Sequence, residues 1–353
     1  MRLKVETPFN PQSVFTFPPI LITRMHETRV SHGQTRKGGR MRNIYFRIFT
    51  LALAAGFAFT SHSYAGSINV LWYTYADPRS EYRQKISQLA EIVHTLPQTD
   101  SIEWNLRYWG ASDPAPDLAS FDVLVIESGE AFLTGPPMGR AAVPDYTGIL
   151  DNRTAIEAAR GDRTFITASD ADFHAIRGDT GNISHTAEDQ DHGGRCVPAL
   201  TSPACWDGAL GHLVNAVNWA GSGNGLGIVS FLDGEHPGSF WWAHENSFLR
   251  DELYGSIDYS GSDQTPIINF EQSDYSLNCG LTSKGLSDWK NSFHATFRPI
   301  DGYTPVIDSS LRPGSAVAIA AIFLPPAPEA ESYLMLYPES LSKECNEGTK
   351  EAR

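Results

Sequence analysis

Cysteine is scarce in this chain. Four residues in 353 are cysteine, and none sits in a C-x-x-C unit, which disfavours a structural zinc site. No apolar run approaches the roughly 20 residues that a bilayer-spanning helix needs. No internal repeat is evident, and the Asp-x-Asp-x-Asp-Gly opening of an EF-hand loop is missing. Basic residues are few once the first 65 residues are set aside. That segment holds nine of the 27 Lys/Arg but two of the 41 acids, so residues 66–353 carry 18 bases and 39 acids, a net charge of −21. Such a surface repels phosphate backbones, and no nucleic acid is expected as a partner.

The beginning of the chain differs from the rest. Residues 1–40 combine Pro18-Pro19 with a basic run around Arg36, Lys37 and Arg40 and show no periodicity. They are read as an extension upstream of the true start, outside the fold. Met41 opens a second pattern: Arg42 and Arg47 form a charged region, Ile48 to Phe59 is apolar and Ala-rich, and Ser63-Tyr64-Ala65 offers small residues for cleavage. Residues 41–65 therefore read as a secretory signal peptide, cut after Ala65. The protein is expected to be exported, whether periplasmic, cell-surface or extracellular. Disulfides are permitted there. Cys196 and Cys205 bracket a loop with two prolines and are the preferred pair, although four cysteines (Cys196, Cys205, Cys279, Cys345) allow three pairings. All eight Trp lie beyond residue 65, which argues for one sizeable core over about 66–324.

Within that span, strands alternate with helices. Residues 67–74 are rich in β-branched and aromatic residues and read as a strand. Asp77-Pro78 then offers an N-cap and a proline at the first helical position, ahead of Ile86, Leu89, Ile92 and Val93 at helical spacing. Residues 102–109 alternate as a strand, and 121–126 form a short apolar run of the buried parallel kind. A helix at 151–160, a strand at 164–168, a helix through Leu210, Leu213, Val214 and Val217, and a strand at 226–232 follow. A final apolar strand covers 316–323. The pattern predicts an α/β fold, a three-layer sandwich with a mostly parallel sheet and irregular insertions.

In such sheets, ligands bind beyond the carboxyl ends of the strands. Two ends carry polar groups: Glu127-Ser128-Gly129-Glu130 after the third strand, and Ser169-Asp170-Ala171-Asp172-Phe173-His174 after the fourth. Glu127, Ser128, Glu130 and Asp170 are candidate ligand-binding residues. Asp170, Asp172 and His174 alternate as a candidate metal set, with Asp179, His185, Asp189, Asp191 and His192 following, and a divalent metal is the one cofactor implied. A small residue followed by Ser169 at a strand end is where a nucleophile elbow would lie. The competing reading of Ser169 is a capping residue. His244-Glu245 is a further acid/base candidate or a helix start. Phe240-Trp241-Trp242 is either a sugar-stacking platform or an anchor to the core.

The succession of strand 67–74, helix, strand, Phe121-Asp-Val-Leu-Val-Ile126, helix and strand-turn 164–170 resembles the class I glutamine amidotransferase-like fold, including its trehalose-utilisation-type relatives with a flavodoxin-like core. The resemblance implies a nucleophile on the turn after strand 164–168 and a histidine late in the domain, which Asn291-Ser-Phe-His294 in the span 266–297 would supply. This chain departs from the family at the nucleophile: it has Ala168-Ser169-Asp170-Ala171-Asp172 where the family has a cysteine turn. Glutaminase activity is thereby disfavoured, and a Ser169/His294 hydrolase keeps the family's order along the chain. Pro325-Pro-Ala-Pro328-Glu329-Ala-Glu-Ser-Tyr333-Leu-Met-Leu336 resembles a degenerate PEP-CTERM sorting signal, whose usual closing arginine cluster is missing. That resemblance implies association with the cell envelope or exopolysaccharide for the tail 325–353. Three functions are thus expected: binding of a small polar or saccharide ligand, hydrolysis through Ser169/His294 or a metal, or a non-enzymatic role in an extracellular matrix.

Overall fold

A computed structural model describes residues 66–96, 102–129, 141–181, 194–196, 198–232, 240–259, 267–268, 275–287, 289 and 295–323. The signal-peptide and sorting-signal readings, Glu130, His294 and the acidic run 182–193 lie outside these residues. Among the described residues, no helix is long and apolar enough to cross a membrane.

The first described element is a strand, β1 (Ser67–Tyr73), whose side chains alternate between two buried surfaces. Helix α1 (Glu81–Ile92) follows. Its Tyr82, Ile86 and Leu89 recur at i, i+4 and i+7, so one face is buried and the helix docks on the sheet. The expected cap is displaced. Asp77 accepts from the Arg79 backbone N–H at 2.8 Å and closes a turn, whereas Ser80 caps the helix by accepting from Arg83 N. Either oxygen satisfies orphan donors, and the one three residues upstream of a free N–H prevails.

Strands β2 (Glu103–Trp109) and β3 (Val123–Ile126) come next. The helix expected at 151–160 is two short ones, α2 (Thr147–Asp151) and α3 (Arg153–Ala159), broken at Asn152, whose side chain donates to Gly148 O at 2.8 Å. An Asn side chain bonded back to the preceding turn competes with helix continuation. Strand β4 (Arg160–Thr167) starts four residues earlier than the apolar run suggested. It is followed by α4 (Ala171–Arg177), β5 (Asp179–Thr180), β6 (Gly194–Arg195), α5 (Ala209–Gly221) and β7 (Leu226–Phe231). Gly161 lies where the turn before β7 crosses β4: a Cβ there would sit 1.9 Å from Asn224 O, so only glycine fits. Helix α6 (Arg250–Leu253) and strands β8 (Ile257–Tyr259), β9 (Ile267–Ile268), β10 (Ala295–Phe297), β11 (Thr304–Asp308) and β12 (Ala316–Ile322) complete the described chain.

The fold is α/β, built on a mixed sheet in the order β2-β1-β3-β7-β4-β12-β10-β8, with β11 on β12 and β9 on β11. The five strands from β2 to β4 are parallel, and β12, β10, β8, β11 and β9 form an antiparallel wing. Counted along the chain, the parallel strands run in the order 2-1-3-5-4, because β7 inserts between β3 and β4. A flavodoxin-like core runs 2-1-3-4-5. Every residue of β7, Ser230 included, is buried, as suits a strand in the interior of a parallel sheet. Hydrophobic clusters cover both faces. Val70, Trp72, Val125, Phe165 and Val229 pack with α1, α4 and α5, while Leu71, Tyr73, Leu124, Ile126 and Ile228 pack with α2, α3 and α6.

Cys196 and Cys205 form a disulfide with Cα atoms 5.7 Å apart, as the spacing suggested. Cys279 is also disulfide-bonded. The Cys196–Cys205 link closes a loop across a sequence separation of 9, so its entropic contribution is on the order of 2–3 kcal/mol. The double variant Cys196→Ala/Cys205→Ala is expected to lose about that much in urea unfolding; a loss below about 0.5 kcal/mol would show that this loop is already ordered in the unfolded chain.

Candidate functional site

Polar side chains gather beyond the carboxyl ends of β1, β3 and β4, on the face covered by α1 and α4. The chain order reverses between β1 and β3, and this switch point opens a crevice in doubly wound sheets. Glu127 follows β3 directly and is 1% exposed. Its carboxyl accepts from the Thr74 hydroxyl and from the Tyr75 backbone N–H at 2.7 Å, both at the end of β1. Burial pushes its pKa up to about 8, against those two hydrogen bonds, so at neutral pH the group is mostly protonated.

Asp172, on the first turn of α4, is fully buried. Its Oδ2 accepts from the Tyr82 hydroxyl at 2.8 Å and from the Ser128 backbone N–H at 3.1 Å. Tyr82 in turn accepts from Trp72 Nε1 at 3.2 Å. One chain of hydrogen bonds thus ties β1, α1, the β3 terminus and α4. The second oxygen, Oδ1, makes no well-formed hydrogen bond. Burial raises the pKa of this carboxyl as well, despite its donors.

His174 occupies the same short helix but a different face. Residues two apart on a helix point in nearly opposite directions, whereas residues four apart share a side. His174 therefore meets Asp170, with Nε2 3.3 Å from Asp170 Oδ2, while its Nδ1 lies 2.7 Å from Asp179 Oδ2. Burial alone would lower the imidazole pKa, but the Asp170 and Asp179 carboxylates outweigh it and carry it up to about 10. The ring is accordingly an imidazolium held between two acids. Arg177 Nε adds a second cation 3.3 Å from Asp179 Oδ2.

The structure does not bring Asp170, Asp172 and His174 together as a metal set. Asp172 turns to Tyr82 and Ser128, away from the Asp170–His174–Asp179 line, and among the described residues no three His, Cys, Asp or Glu side chains converge as metal ligands. Ser169 is 2% exposed, its hydroxyl 2.8 Å from that of Thr167, which is 3.4 Å from His212 Nε2. The imidazole linked to Ser169 within the described residues is thus His212, on α5. The residue at the apex of the strand–turn–helix is the next one along. Asp170 has φ 42° and ψ 38°, the left-handed region, and is the one non-glycine with positive φ among the described residues.

Three contributors escaped the sequence reading. Thr74, Tyr82 and His212 each sit in an apolar strand or helix pattern, where a polar atom reads as tolerated. For Tyr82 a signal was present: its position continues the buried face of Ile86 and Leu89, and a buried phenol needs a partner. Trp241 and Trp242 are buried, and Trp241 stacks on Tyr146 with centroids 5.6 Å apart, so this aromatic run anchors a segment to the core. His244 Nδ1 accepts from Asn246 N at 3.2 Å in a turn, not a helix start. Comparison with protein-family models, with curated proteins and with solved structures finds no match to this chain.

Proposed function

We propose that this chain is an exported, three-layer α/β domain of the amidotransferase-like kind that binds a small polar or saccharide ligand at the carboxyl edge of its sheet. One observation carries the reading: the left-handed backbone of Asp170 at the turn from β4 into α4. For a residue with a Cβ this conformation costs about 1–2 kcal/mol, and such strain persists where function holds it in place. Around it lie Glu127, Asp172, His174 and Asp179, all buried ionisable groups, the first three with raised pKa values; such groups cluster at functional sites. A carboxyl-rich site recognises ligands that bring hydrogen-bond donors, such as hydroxyl or ammonium groups. The helices on both sheet faces support the layered reading, and the Cys196–Cys205 disulfide suits a non-reducing compartment.

A second reading, hydrolysis, is favoured by the line Asp170–His174–Asp179. An acid held against an imidazolium that is itself oriented by a second acid is an arrangement for moving protons or charge during bond cleavage. In that reading the elbow residue is Asp170, with Ser169 beside it.

Thermal unfolding of the full chain against a panel of polyols, sugars, amino acids and amines tests both readings. A ligand of the panel is expected to raise the midpoint of the wild type and to leave Asp170→Asn unmoved. Hydrolysis would release product with the wild type and not with Asp170→Asn. A panel with no stabilising member, or a ligand that protects both proteins equally, would refute the site.

A further inference from the structure

Asp179 is the one member of the Asp170–His174–Asp179 line that α4 does not position. Asp170 and His174 stand four residues apart at one end of that helix, so the helix sets their spacing. Asp179 lies beyond Gly178, which ends α4 in the left-handed region with φ 78°. It belongs to β5, a strand of two residues that pairs with β6, Asp179 opposite Arg195 and Thr180 opposite Gly194. This ribbon is separate from the main sheet, and a two-stranded ribbon of that size is not stable by itself. Yet the Asp179 carboxylate is 1% exposed, and an ionised carboxylate gives up its hydration to sit there. The restraint on β5 must come from outside the ribbon.

Cys196 follows β6 directly, and its N–H donates at 2.9 Å to the carbonyl of Gly178, the residue before Asp179. Cys205, at the other end of the loop, accepts at 3.4 Å from the N–H of Gly208, the residue ahead of α5. The disulfide between them therefore fastens the end of β6 to the start of α5. A second tie runs from Thr180 Oγ1 to Asp207 Oδ1 at 3.2 Å. The fit has no slack, since a Cβ on Gly178 would lie 2.9 Å from both Ala199 Cα and Cys196 O. We infer that the Cys196–Cys205 disulfide is a positioning element of the site: it holds the β5–β6 ribbon against α4 and α5, and so keeps the Asp179 carboxylate on His174. The inference rests on the reading of the Asp170–His174–Asp179 line as part of the site. Of the elements packed on α4, α1 directs Tyr82 to Asp172 and α5 directs His212 toward Thr167, while the Trp289 ring stacks on His174 at 5.3 Å. Asp170 and Asp179 are thus the charges that face the imidazole, with Arg177 behind Asp179. Removing one of them weakens the hold on its second proton.

An NMR titration of the full chain with isotope-labelled histidine tests this, the His174 signal being assigned by its loss in His174→Gln. In the wild type the ring is expected to stay protonated up to about pH 10. In the folded Cys196→Ser/Cys205→Ser variant its proton affinity is expected to fall about tenfold or more. Asp179→Asn alone should produce a fall of similar size, and adding it to the serine pair should produce none further, because the carboxylate has already left. Gly178→Ala keeps the disulfide but wedges the loop off the end of α4. It is expected to weaken the proton affinity in the same direction, and it decides the matter where the serine pair does not fold. A disulfide that only stabilises would lower the thermal midpoint and leave the His174 titration where it is in the wild type; that result overturns the inference. So does a serine-pair effect that adds in full to that of Asp179→Asn. The titration needs no ligand, so an unmoved His174 leaves the ligand-binding reading standing, and a ligand panel without a binder leaves the titration to be read.

Discussion

Replacing Asp172 with alanine is expected to lower the free energy of unfolding by about 3–5 kcal/mol, because two buried donors lose their acceptor at once. Those donors are the Tyr82 hydroxyl and the Ser128 backbone N–H, and neither has water to turn to. A small cavity adds to the loss. The carboxyl itself is buried at a cost, as its raised pKa records, so the loss reflects stranded partners more than the worth of the acid. Asp172→Asn separates the two contributions. It keeps one oxygen for Tyr82 and Ser128 and places its amide where Oδ1 makes no well-formed hydrogen bond, so a loss of about 1–2 kcal/mol is expected. Urea unfolding of both variants, and of Tyr82→Phe with each, measures the coupling. If alanine and asparagine cost the same, or if the Tyr82 and Asp172 losses simply add, the hydrogen-bond chain does not hold α1 to α4.

The second large effect is a decline in stability as pH rises. Glu127 ionises near 4.5 in the unfolded chain and near 8 in the fold. Between these values the folded state binds more protons than the unfolded state, so stability falls as pH climbs through that window. Asp172, also raised, acts in the same direction. His174 is a base with a raised pKa, from 6.5 to about 10. Its contribution is complete below 6.5 and is lost as pH rises through 10. The Glu127 and His174 windows overlap between 6.5 and 8, where the slope should be steepest. The whole change amounts to a few kcal/mol, on the order of one to two per group after allowance for relaxation around buried charges. Unfolding followed at about pH 5, 7 and 9 reads it. Glu127→Gln is expected to flatten the acid half of the decline and to leave the alkaline half. A wild type that gains stability over this range, or a Glu127→Gln variant with an unchanged slope, would show that the folded carboxyl ionises normally.

Both predictions concern residues whose presence was legible and whose partners were not. The apolar runs at 67–74, 121–126, 164–168, 226–232 and 316–323 announced five strands, and all five are present within a residue or a few. The polar groups directly after β3 and β4 were recognisable as a site because strand ends in an α/β sheet are where ligands approach. Their roles were not recognisable. Ser169 and Asp170 are adjacent, and either could have occupied the apex of the turn. Which one takes the left-handed conformation depends on how β4 is held against β12 and β7, through contacts such as Ala168 N–H to Val317 O and Asp170 N–H to Leu232 O. Asp77 was likewise read as the cap where Ser80 holds that place, and the choice rests on where α1 must begin for Tyr82 to reach Asp172.

By itself the sequence determined the α/β class, the span of most strands and the acidic balance, and it favoured the Cys196–Cys205 pair among three, since each depends on residue types within a few positions of one another. Only the tertiary structure decided that β7 lies between β3 and β4, that Asp172 and His174 face apart, that His212 lies behind Ser169 through the Thr167 hydroxyl and that Asp170 holds the elbow. Periodicity reports which face of an element is buried, and the hydrophobic effect that buries it has no direction. Which two faces meet, and so which polar atoms find each other across 45 or 90 residues of chain, is settled when the sheet closes its order and every buried donor must find an acceptor.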